Sequence, residues 1–75
     1  MSREIVGVTE DCVAIIAHTN VIRLAARQGM AFAQMGDGAK LREAVAAMVE
    51  ASKALAEACE TLDDTTDHLG DEVGA

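Results

Sequence analysis

From Leu41 onward the apolar residues of the chain recur in alternating steps of four and three. Positions 41, 45, 48, 52, 55, 59, 62, 66 and 69 read Leu, Val, Met, Ser, Leu, Cys, Leu, Thr and Leu. This 3.5-residue period predicts a long helix packed on another helix with a left-handed supercoil. The opposite face holds Glu43, Glu50, Lys53, Glu57, Glu60, Asp64 and Asp67 and is the solvated side. A second stripe, Ala44, Ala47, Ala51, Ala54 and Ala58, runs beside the seam. It has two readings: alanine is the best helix former, or its small side chains let another helix approach closely on that flank and give helix 2 two contact faces.

The first half of the chain is apolar over more than one stripe. A seam runs through Ile5, Val8, Cys12, Ile15, Thr19, Ile22, Ala26, Gly29 and Ala33, yet Val13, Ile16, Leu24 and Met30 fall outside it. A helix hydrophobic over most of its girth belongs in the middle of a bundle. Between the halves stands Gly36-Asp37-Gly38. Gly36 suits the left-handed residue that ends a helix, and Asp37 suits the cap that begins the next. A connection this short makes neighbouring helices antiparallel.

The expected fold is therefore all-α. It is one helical-hairpin domain over residues 1–75, with helix 1 at about 3–35, a turn at 36–38, helix 2 at about 39–69 and an acidic tail at 70–75. Gly7 and the β-branched Val6, Val8 and Thr9 weaken the start of helix 1, so Thr9 is the competing first residue. The residues expected at the core or interface are Ile15, Ile22, Leu41, Val45, Met48, Leu55 and Leu62. One buried stripe does not offset the entropy of ordering two long helices. Pairing of two hairpins into a dimeric four-helix bundle, or coiled coil, is the expected remedy.

Charge adds a polarity to this picture. The net charge is −7, and every excess acid lies in the last 19 residues, which contain Glu57, Glu60, Asp63, Asp64, Asp67, Asp71 and Glu72 and no Lys or Arg. Such an end repels phosphate, so nucleic-acid binding is not expected. With Phe32 as the only aromatic residue, platforms for stacking bases are missing as well. The longest uncharged run, Cys12 to Ile22, has 11 residues, too few to cross a bilayer. Ile5 to Val8 lies between Glu4 and Glu10, unlike the apolar core of a signal peptide. A cytoplasmic protein without membrane insertion is the expectation.

Candidate chemistry is thin. Cys12 and Cys59 both fall on the drawn seam and read as reduced, buried thiols about three residues out of register. His18, Thr19 and Asn20 interrupt the apolar middle of helix 1 and read as a polar layer that sets register. No Glu-x-x-His, His-x-x-x-His or Cys-x-x-Cys occurs, so neither a di-metal carboxylate site nor structural zinc is expected. Glu60, Asp64, Asp67, His68 and Asp71 recur at helical spacing, but like charges near a helix C-terminus repel and fray it. Thr61, Asp64 and His68 share a face without an oxyanion hole or cleft. Arg23 and Arg27 are placed to pair with Glu50 and Glu43 across the hairpin. Met30, Met35 and Met48 with Phe32 form a soft apolar cluster near the turn.

The run Thr19-Asn20-Val21-Ile22-Arg23-Leu24, followed by Ala25-Ala26-Arg27-Gln28-Gly29, resembles the helical hairpin at the tip of bacterial chemoreceptor signalling domains. The glutamates of that tip are missing and the flanks are shorter, so the resemblance brings no function with it.

These readings converge on a small non-enzymatic module for helical oligomerisation or protein–protein interaction. Its partner would be a second copy, as a dimer, or another helical protein. No cofactor, metal or small-molecule substrate is expected. The alternative is an acidic inhibitor or regulator that docks Glu57, Glu60, Asp64, Asp67 and Asp71 on a basic surface of another protein.

Overall fold

Gly36 ends the first helix because it takes a backbone conformation that side chains resist, with φ of 75°. Its N–H donates to the carbonyl of Ala33 at 3.2 Å, and the N–H of Asp37 donates to the carbonyl of Phe32 at 2.9 Å. These two bonds satisfy carbonyls that the helix leaves free, in the Schellman pattern. The next helix begins at once. The Asp37 carboxylate accepts the N–H of Lys40 at 3.1 Å, and the Asp37 carbonyl accepts the N–H of Leu41 at 3.0 Å. Asp37 is thus the expected N-cap.

The computed structural model describes the backbone of residues 3–73 and the side chains of residues 5–67. It contains two helices, α1 (Arg3–Met35) and α2 (Gly38–Val73), packed against each other as an antiparallel hairpin measuring 56 × 17 × 15 Å. Helix α1 starts at Arg3, so Gly7 and its β-branched neighbours are accommodated. Helix α2 continues through Gly70 to Val73, where the sequence pattern predicts an acidic tail from residue 70. One glycine costs a helix about 1 kcal/mol, which does not by itself end it.

The packing seam differs from the one drawn on the sequence by one column in each helix. In α1 the residues shielded along the seam are Val8, Asp11, Ile15, His18, Ile22, Ala25, Gly29 and Phe32. In α2 they are Leu41, Ala44, Met48, Ala51, Leu55, Ala58, Leu62 and Thr65. Gly7, Ala14 and Ala54 are partly covered beside them. The columns through Ile15 and Leu55 are those expected. The companion columns shift by one residue, replacing Cys12, Thr19, Ala26 and Ala33 in α1, and Val45, Ser52, Cys59 and Thr66 in α2. Ala44, Ala51 and Ala58 of the alanine stripe are therefore part of the surface on which α1 itself sits, while Ala47 is exposed.

Gly29 fixes the register. A Cβ on this residue would lie 3.7 Å from Ala44 Cβ, 3.6 Å from Leu41 Cδ1 and 3.8 Å from Met48 Cε. Carrying the Gly29–Ala44 layer along both helices sets Ile22 against Ala51, Ile15 against Ala58, His18 against Leu55 and Asp11 against Leu62. Ile15 and Ile22 of α1 and Met48 of α2 thus face alanines, and at those layers the backbones draw together while the side chains still interlock. The cost is a thin core. Among the described residues the buried hydrophobic side chains are Ala25 and Ala44 at 5% exposure and Ala51 at 8%.

Candidate functional site

With the seam columns labelled a (Ile15 and Ile22 in α1, Met48 and Leu55 in α2) and d (Ala25 in α1, Ala44 and Ala51 in α2), the column on the other side of a is e. In α1 the e column is Ile5, Cys12, Thr19, Ala26 and Ala33, and in α2 it is Val45, Ser52, Cys59 and Thr66. Because the helices are antiparallel, both e columns lie on the same flank of the hairpin. All nine residues are exposed and none is charged.

The hydroxyls on this flank are already satisfied. Thr19 Oγ1 donates to the Ile15 carbonyl at 2.8 Å, Ser52 Oγ to the Val49 carbonyl at 2.8 Å and Thr66 Oγ1 to the Leu62 carbonyl at 3.0 Å. With their donors turned back on the helix, these side chains offer methyl and methylene groups outward. Beside the e columns, toward solvent, lie Ile16 and Met30 of α1 and Val49 of α2, all exposed, while the exposed Val6 and Val13 point directly away from the seam. With Ile5 and Val45, five of the ten large exposed hydrophobics among the described residues belong to this sector. The surface is a long strip shared by both helices and uncharged along its two central columns.

The residues expected at the core divide accordingly. Ile15, Ile22, Leu41, Met48, Leu55 and Leu62 lie half-buried between the helices, whereas Val45 is 44% exposed on the open flank. The expectation that Cys12 and Cys59 are buried is corrected: both are free and exposed, because the e columns face away from the seam. His18 does occupy a shielded seam position, while Thr19 and Asn20 are exposed. Phe32 and Met48 help fill the seam near the turn, and Met30 and Met35 face solvent. The expected pairing of Arg23 and Arg27 with Glu50 and Glu43 is absent. The ion pair among the described residues is Lys53 Nζ to Glu50 Oε1 at 3.9 Å within α2. Such an exposed pair contributes ~0–1 kcal/mol.

The far side of α2 has the opposite character. Glu43, Glu50, Glu57 and Asp64 repeat every seventh residue, with Glu60 and Asp67 beside them, all exposed. The side chains of His68 and Asp71 lie outside the described residues, so the Thr61-Asp64-His68 alignment and the last member of the acidic patch do too. Thr61 Oγ1 donates to the Glu57 carbonyl at 3.1 Å. Among the described residues no group of three metal-ligating side chains converges.

An open depression of about 210 Å³ lies at the turn, lined by Phe32, Ala33, Gly36, Asp37, Gly38 and Leu41. Lys40 Nζ stands 5.7 Å from the Phe32 ring centroid beside it. The depression is smaller than the ~300–1,000 Å³ pockets that enclose small ligands. Helix α1 has a further property that the count of strictly uncharged residues did not reveal. Over Ile5–Met35 it is, by length and composition, long and apolar enough to cross a membrane, and none of its most apolar stretch is buried in the hairpin. No protein-family model matches the chain, and no curated protein or solved structure matches it.

Proposed function

We propose that the chain is a self-associating helical module whose open flank packs on a second copy to complete a four-helix bundle. The observation that carries this reading is the uncharged double e column, flanked by large exposed hydrophobics, on a hairpin that otherwise buries little beyond alanine. Surface area supports it. The chain presents 5531 Å² to solvent, whereas a compact monomer of this mass presents roughly 4,400 Å². The excess of about 1,100 Å² exceeds the ~800 Å² per partner of a standard interface. The sum of these features favours a structural or adaptor subunit, with its work done by contact rather than by chemistry.

Light scattering and far-UV circular dichroism over a range of concentrations test the proposal. A mass of two chains that falls to one on dilution is the expected result. A helical monomer at every concentration overturns it, and so does binding to lipid vesicles in place of self-association.

A second reading rests on the outward acidic column Glu43, Glu50, Glu57 and Asp64, which suits docking on a basic protein surface. Salt separates the two. Association through carboxylates is lost as ionic strength rises, while apolar packing of helices survives it.

A further inference from the structure

The hairpin is electrically lopsided along its length, and this polarity bears on how two copies meet. The half nearest the turn, residues 20–53, holds five basic groups (Arg23, Arg27, Lys40, Arg42, Lys53) against Asp37, Glu43 and Glu50, a net +2. The remainder holds ten acidic groups and only Arg3, a net −9, which accounts for the total of −7. Two copies stacked with their turns at the same end would press −9 against −9. Stacked with their turns at opposite ends, each basic half meets an acidic half.

We infer that the second copy docks on the open flank in the opposite direction, with the two turns at opposite ends of the bundle and α1 lying against α1 of its partner. The inference rests on the self-association proposed above and adds its direction and contact helix. The e column of α1 is symmetric in a way that suits a two-fold axis. Thr19 is the midpoint of Arg3–Met35, with Cys12 and Ala26 seven residues to either side and Ile5 and Ala33 fourteen. A perpendicular two-fold axis through this level sets Thr19 against its own copy and Cys12 against Ala26. These small side chains permit close approach. The same operation lays α2 along α2 and brings the exposed Arg42 toward the level of Asp63 and Asp67 in the other copy. It also leaves the acidic column of α2 in water.

The opposite choice, an axis along the rod, stacks α1 on α2 of the partner. Thr19 would then lie diagonally across the bundle from its copy, and Cys12 would lie near the other chain's Cys59.

Disulfide trapping distinguishes the two. A Thr19→Cys variant carrying Cys12→Ser and Cys59→Ser is oxidised mildly at a concentration where light scattering reports dimer. The expected result is a doubling of mass on a non-reducing gel, with no doubling for a Glu43→Cys control in the same background. A second variant, Ala26→Cys with Cys59→Ser, retains the native Cys12 and should also double. It carries the test if Thr19→Cys weakens association. A dimer by scattering in which neither variant crosslinks overturns the direction, as does efficient crosslinking of the unaltered chain between Cys12 and Cys59; self-association then stands. A monomer by scattering overturns both.

Discussion

Gly29 of α1 faces Ala44 of α2 so closely that a methyl group on the glycine would rest 3.7 Å from the alanine Cβ. This is ordinary van der Waals contact, and it marks a level at which α1 contributes no side chain and the Ala44 methyl, with the tips of Leu41 and Met48, fills the space between the helices. The fold is organised by small residues at such points, and its large residues are spread over both the seam and the open flank.

Replacing Gly29 with alanine should stabilise the protein. The added Cβ meets Leu41, Ala44 and Met48 at 3.6–3.8 Å, and a helix-interior Gly→Ala change contributes about 1 kcal/mol from propensity. Chemical denaturation should show the increase. Gly29→Leu should instead lower stability by ~1–3 kcal/mol, because the layer has no room for it. Equal effects from both substitutions would argue that the helices do not approach here.

Gly36→Ala should destabilise by ~1–2 kcal/mol, since φ of 75° places an L side chain against its own carbonyl. Asp37→Ala should cost ~1 kcal/mol through loss of the bond to the Lys40 N–H. Thermal unfolding of the two single variants and the double checks both. An unchanged midpoint in Gly36→Ala would mean that the helix ends elsewhere.

Leu55→Asp and Val45→Asp should part company. Leu55 lies half-buried between the helices, so a charge there should abolish helicity at ordinary temperature. Val45 is exposed on the open flank, so Val45→Asp should leave the hairpin's packing intact and abolish self-association. Circular dichroism reads the first effect and light scattering the second. Loss of helicity in both at high concentration would instead place Val45 in the seam.

Ala51→Leu should lower stability by ~1–3 kcal/mol, because Ala51 is 8% exposed and lies opposite Ile22. The neighbouring Ser52→Leu should be tolerated by the hairpin, as Ser52 is exposed and its hydroxyl bonds only its own helix. A denaturant series on the pair measures the contrast. It tests which of two adjacent columns carries the packing.

Much of this architecture was legible in the residues themselves. Gly36 and Asp37 announce where one helix stops and the next begins, because a left-handed residue and a capping carboxylate suit those backbone positions. The recurrence of Leu41, Met48, Leu55 and Leu62 defines one edge of the seam, and the short turn makes the helices antiparallel. The other edge was not legible. Columns d and e flank column a on a helix, and a pattern that weighs large side chains favours Val45 and Cys59 over Ala44 and Ala58. Tertiary structure decided for the alanines: two helices gain more contact when their backbones close over methyl groups than when bulkier residues hold them apart. That choice turned Val45, Cys12 and Cys59 outward and opened the flank on which the functional reading rests.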